Sequence, residues 1–211
     1  MTRRISRPLA LVAALAAMAV AAPSANAGVL VATADNCPDQ TAAQVFQPWL
    51  DPMSYTLVPG GTLEGGAPGW SLNGASVVSG NEPWQVHGDG ESSSLKIPAG
   101  KSATTDTICV GLEHPTLRFF AKSSGNSLLG SLVSALTVEV LFEDNSGDVH
   151  ALPIGAVLPN SHWSPTLPYP ILVNLLPLLP GEKTPVAFRF RAVGGASWQI
   201  DDVYVDPHSR R

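Results

Sequence analysis

The chain has 211 residues, with 17 Asp and Glu against 12 Lys and Arg, a formal charge of −5 and only 14% charged residues. An acidic chain without a basic cluster repels phosphate backbones and anionic lipids, which excludes a nucleic-acid-binding role. Its 19 glycines and 19 prolines disfavour long helices and suit short strands joined by tight turns.

At the N-terminus, Arg3, Arg4 and Arg7 precede an apolar stretch over 9–22 that ends in Ala25-Asn26-Ala27. This is the pattern of a signal peptide, residues 1–27, removed after Ala27. The run is short of the roughly 20 residues a membrane span needs, and no other segment is long enough, so the expected mature chain is secreted and has no transmembrane segment. It keeps 211 − 27 = 184 residues and loses three arginines, so its charge becomes 9 − 17 = −8. One domain of this length buries roughly 70% of its unfolded surface. Cys37 and Cys109 are the only cysteines. Both reach an oxidising compartment, and no Cys-x-x-Cys spacing supports a metal, so a disulfide is expected. Closing so long a loop stabilises by roughly 4 kcal/mol in the chain-entropy model.

Residues 28–59 read as an N-terminal arm, anchored by Phe46-Gln47-Pro48-Trp49 and tied down by the disulfide. The domain follows over 60–206, with a tail at 207–211. Strands are predicted at 62–64, 70–72, 75–79, 93–97, 108–110 and 116–122, with Gly and Pro between them. Residues 136–143 alternate, with Leu136, Val138, Val140 and Phe142 on one face. A turn at 144–148 returns them to 149–152 as a hairpin. Residues 168–180 are too apolar for a free loop, and 171–175 read as a buried strand. If exposed, Leu176, Leu178 and Leu179 make a patch for a protein partner, a second copy or a lipid surface. In 186–191, Phe188 and Phe190 point inward and Arg189 and Arg191 outward. Gly194-Gly195 then joins this strand to the last one as a terminal hairpin.

That last segment, 197–206, places Asp201 and Asp202 inside an apolar, β-prone run. Trp198 and Ile200 share one face, whereas Val203 and Val205 have the opposite parity, so the alternation slips by one residue at the Asp pair. A bulge that turns a carboxylate onto a cation is one reading, and a strand buried on both faces is the other. Nine or ten short strands without a long helix make an all-β, antiparallel sandwich.

Leu63-Glu64-Gly65 followed by Trp70, paired with the late Trp198-Gln199-Ile200-Asp201-Asp202-Val203, resembles the jelly-roll carbohydrate-binding modules of the galactose-binding-like superfamily. Leu63 stands where that family usually has an aromatic residue. The resemblance implies a jelly roll over about 60–206, first and last strands side by side, and a structural calcium (Ca2+) held by the early acidic residue and a late Asp. The corresponding ligands here are Glu64 and Asp201 or Asp202, with carbonyls near Gly65 and Gly66. Oxygen donors suit calcium, and a carboxylate cluster hydrogen-bonded to amides without metal is the alternative. The chain is also similar to a group of small secreted actinobacterial-type proteins, through Gly-Asn-Glu-Pro of 80–83, Leu-Arg-Phe-Phe of 117–120 and Asp-Asp-Val-Tyr-Val-Asp-Pro of 201–207. That likeness brings no activity.

No catalytic signature stands out, and a non-enzymatic role is expected. Ala99-Gly100-Lys101-Ser102 resembles the end of a phosphate-binding loop, but Leu95 replaces its first glycine. His87, Asp89 and Glu91 read as solvated loop polarity. Sugar binding needs exposed aromatic faces. Trp70 and Trp198 read as core and Trp49 as the arm's anchor. Trp84 and Trp163, with His87 and Tyr169 nearby, are the candidates for a ligand groove, unless they pack under the loops. The expected function is non-catalytic binding of an extracellular glycan. A protein-interaction role through 168–180 is the alternative.

Overall fold

Short apolar and alternating runs form thirteen strands among the residues that the computed structural model describes: 30, 37, 40–111, 115–124, 133–144, 146–171 and 183–206. A 3-10 turn at Gln47–Trp49 precedes β1 (Thr56–Leu57), β2 (Ser71–Asn73), β3 (Ser76–Ser79), β4 (Ser93–Ile97), β5 (Ser102–Thr104), β6 (Ile108–Gly111) and β7 (Thr116–Ser124). Then come β8 (Ala135–Glu143), β9 (Val149–Val157), β10 (Ser164–Pro165), β11 (Tyr169–Pro170), β12 (Lys183–Val193) and β13 (Ser197–Asp206). The expected signal peptide, the C-terminal tail and Leu176, Leu178 and Leu179 lie outside the described residues.

The strands make two antiparallel sheets packed as a jelly-roll sandwich. One runs β10-β7-β13-β4-β3, with β1 beside β13 and β11 beside β7; the other runs β2-β5-β12-β8-β9, with β6 beside β12. The chain passes repeatedly from one sheet to the other, so residues distant in sequence meet in the interior. Leu117, Phe119, Trp198, Ile200, Val203 and Val205 from the first sheet face Leu136, Val138, Val140, Val186, Phe188 and Phe190 from the second.

Three sequence expectations change. Residues 62–64 form turns instead of a strand, with Leu63 buried at a positive φ of 64°. The strand beside the second half of β13 is β1, through Thr56↔Val205 and Leu57↔Tyr204, so the end of the arm enters the sandwich. The terminal hairpin is absent: β12 pairs with β8 and β13 with β7, in different sheets. Phe188 and Phe190 therefore share one core with Trp198 and Ile200 of the opposite sheet, and Phe190 meets Phe119 edge-on at 5.0 Å across it. The crossover turns at Gly194, whose φ is 79° and where a Cβ would stand 2.5 Å from the Val133 carbonyl oxygen. The 144–148 hairpin is present, with its return strand extended to Val157.

The last strand both bulges and is buried on its two faces. Asp201 pairs with Phe120 and Tyr204 with Arg118, so β13 takes three steps while β7 takes two. The extra residue restores Val203 and Val205 to the core side. Tyr204 faces out and is nevertheless buried, because the arm lies over this outer face. Phe46, Tyr55, Phe120 and Tyr204 form a second core there. Phe46 stacks on Phe120 at 5.5 Å and meets Tyr55 edge-on at 5.0 Å.

The polar lock of the arm is Asp51. Its Oδ2 accepts from Arg118 Nη1 at 2.5 Å and from the Tyr55 hydroxyl at 2.8 Å. Arg118 Nε donates to the Thr166 carbonyl at 2.7 Å, and its guanidinium lies 4.4 Å from the Phe46 ring centre. A Cys37–Cys109 disulfide joins the beginning of the arm to β6, with Cα atoms 5.4 Å apart. Asp51→Ala leaves the buried guanidinium without its counter-charge. The expected outcome is a loss of about 3–5 kcal/mol, read as a lower urea midpoint.

Candidate functional site

The loop between β3 and β4 carries polar and aromatic side chains in opposite directions. Glu82 points in and is fully buried, held by local geometry: its Oε2 accepts from the Trp84 amide at 2.5 Å and its Oε1 from the Val86 amide at 2.8 Å. These bonds set Trp84 outward, 45% exposed. Its ring leans on Phe120 at 5.4 Å and meets Trp49 edge-on at 5.2 Å. Between this loop and arm residues 43–49 runs an open groove of about 510 Å³, lined by Trp49, Trp84, Val86, Gln44 and Gln47 among others.

Beneath the loop lies an acidic cluster. Glu82, Glu91 and Asp202 each place one carboxylate oxygen within 4.8 Å of the others. Asp202 is fully buried at a φ of 48°, and neither of its oxygens meets an amide or hydroxyl donor. Both Glu91 oxygens are shielded from solvent, and the His87 and Gly88 amides approach its carboxylate without forming well-aligned hydrogen bonds. Asp201 differs: its Oδ2 accepts from the Glu82 amide and its Oδ1 from the Asp202 amide, each at 2.9 Å. Burial, opposed by those amides, pushes the Asp201 carboxyl up to about 8. Burial and then the charges of Asp201, Glu91 and Glu82 push Asp202 up to about 9. Burial, with Glu82 and Glu64 adding to it, takes Glu91 up to about 7.

The expected site residues divide among several places. Glu64 lies outside the converging triad but close enough for its charge to act on Glu91. It is exposed, and its Oε1 accepts from the Ser92 and Ser93 amides at 2.7 Å each. Its slight burial raises its pKa, but these amides outweigh that and hold the carboxyl below its ordinary range. His87 is exposed, with Nδ1 3.2 Å from the Tyr204 hydroxyl. Trp163 packs at the edge of the outer aromatic core, its ring capped by the Lys122 ammonium at 4.7 Å. Tyr169 belongs to another region. It packs on Phe119, its hydroxyl donates to the Ala156 carbonyl at 3.1 Å, and a Cβ on Gly155 would strike its ring at 2.2 Å. Sequence reasoning missed Glu82 and Glu91 as partners of Asp202. Their signal was weak: Glu82 sits in the quoted Gly-Asn-Glu-Pro, and Glu91 reads from sequence as loop polarity.

No protein-family model and no curated protein matches the chain. The chain is similar at low identity to several solved structures. The xylan-binding CBM22-1 domain of Paenibacillus barcinonensis Xyn10C is 14% identical with a TM-score of 0.47, over 71% of this chain and 93% of that one. The CBM22-1-GH10 modules of Clostridium thermocellum xylanase 10B, complexed with xylohexaose, are also 14% identical with a TM-score of 0.47, and this chain spans 28% of that one. TmCBM61, in complex with β-1,4-galactotriose, is 12% identical with a TM-score of 0.40, over 71% of this chain and 96% of that one. At this level no ligand passes from them to this chain.

The raised carboxyl pKa values predict a pH response in buffer free of divalent cations. Unfolded carboxyls titrate near about 4, so between about pH 4 and 9 the folded state binds more protons than the unfolded one. The contribution of the cluster is fully present below about pH 4 and is lost as pH rises through about 7 to 9. A melting temperature measured in chelator is expected to fall from pH 6 to pH 9.

Proposed function

We propose that the chain is a secreted, non-catalytic binder of extracellular glycan, with Trp84 as its stacking platform. The observation that carries this reading is a large indole held half-exposed over an open groove and braced by Trp49 and Phe120. Such bracing removes the cost of ordering the ring when a pyranose stacks on it, while groove amides such as Gln44 and Gln47 offer partners to hydroxyls. One sandwich serves many purposes, so the side chains on it carry the function. The other aromatic candidates contribute less. Trp163 already has a cation over its face, and Tyr169 is spent on packing. No helix among the described residues is long and apolar enough to cross a membrane.

A glycan array with pulldown on insoluble polysaccharides tests the reading. The purified chain is expected to retain a glycan, and Trp84→Ala to weaken that binding by about 10- to 30-fold, the loss of an aromatic anchor worth about 1.4–2 kcal/mol. Tyr169→Phe is expected to bind as the unmodified chain does. Failure to retain any glycan, or equal retention by Trp84→Ala, rejects it.

A further inference from the structure

Asp202 presents two buried oxygens that meet no amide or hydroxyl donor, and the group that faces them is another carboxyl, that of Glu82. Buried polar groups are nearly always paired, and a buried carboxylate needs a donor or a counter-charge. The ion pairs of the described residues join Arg118 to Asp51, His150 to Asp144 and Arg189 to Glu139, and none reaches this cluster. Glu82 and Glu91 come from the 80–92 loop and add further oxygens to the group.

We propose that Glu82, Glu91 and Asp202 bind a calcium ion that clamps the 80–92 loop to the bulge of β13. The donors are hard oxygens, and no His or Cys belongs to the group. Calcium takes oxygens at about 2.3–2.6 Å, so two ligands on opposite sides of the ion stand about 4.6–5.2 Å apart. One oxygen of each of the three carboxylates lies within 4.8 Å of the others, close enough for a single ion to reach all three. Magnesium needs opposite ligands at about 4.0–4.2 Å and sheds its water reluctantly, which fits a buried site less well. This ligand set departs from the one the family resemblance implies. Amides hold Glu64, Asp201 and Glu82 alike, but of these three only Glu82 belongs to the group whose oxygens converge with those of Glu91 and Asp202. Two loop glutamates take the place of Glu64 and Asp201 beside Asp202. Since Glu82 also holds the Trp84 amide, the ion sits one hydrogen bond from the indole platform. The site itself does not depend on the glycan reading.

The test is thermal melting and calorimetric titration of the purified chain with calcium alone, after divalent cations are stripped by chelator, with no glycan present. At calcium a hundredfold above Kd the melting temperature is expected to rise by about 5–10 °C. Glu64→Gln is expected to keep the rise. Asp202→Asn and Glu91→Gln are expected to lose it. Asn tolerates the left-handed backbone at 202, and Glu91→Gln, on the loop and only partly buried, decides the matter if the first variant fails to fold. No heat and no shift in the unmodified chain overturn the proposal in favour of carboxyls that share protons. A response lost in Glu64→Gln and kept in Glu91→Gln overturns this ligand set.

Discussion

The extra residue at the centre of β13 is the constraint on which the rest of the structure depends. This strand borders β7 along one edge and β4 then β1 along the other, so its register sets that of the whole first sheet. A strand of strict period two would turn Val203 and Val205 to the outside if Trp198 and Ile200 faced in. The bulge absorbs one residue between Asp201 and Tyr204, and all four apolar side chains reach the core. The residue absorbed is Asp202, whose positive φ suits an Asp better than a β-branched residue. Its carboxylate is thereby left inside the molecule.

The same bulge faces Tyr204 outward, and this makes the arm necessary. An outer face carrying Phe120 and Tyr204 cannot be left to water. The arm covers it with Phe46 and Tyr55 while Asp51 neutralises Arg118 beneath. Where this cover ends, at Trp49, the loop bearing Trp84 begins. The groove between them is a seam between two coverings of one sheet, which explains why its walls are aromatic and its mouth is open.

The 80–92 loop serves both regions through one residue. Glu82 accepts the amides of Trp84 and Val86 and gives its own amide to Asp201. Loop conformation, the bulge and the indole are therefore linked by short hydrogen bonds over residues that lie 119 positions apart in the chain. Burial of Glu82 and Asp202 makes these links sensitive to any counter-charge, because a shielded carboxylate interacts more strongly than a solvated one.

Much of the fold was legible in the chain as written. Alternation at Leu136, Val138, Val140 and Phe142, the burial of Trp70 and Trp198, the Cys37–Cys109 disulfide and the slip at Asp201-Asp202 are local or compositional facts, and each has its counterpart in the structure. Partnership between distant segments was not legible. Gly194-Gly195 looks like a hairpin turn from either side, and only the competition for one interior decides that β12 and β13 belong to opposite sheets. Glu91 has the neighbours of a solvated loop residue in sequence, and Glu64 those of a ligand. Their placements differ from that reading because the 80–92 loop folds down over the bulge, bringing Glu91 to Asp202, while the Ser92 and Ser93 amides hold Glu64 at the surface. The sequence by itself determined which residues prefer strand, turn and core, since those preferences arise within a few residues of chain. The tertiary structure alone decided which carboxylates meet and which indole stays uncovered, since both depend on surfaces that exist only once the sheets and the arm have packed.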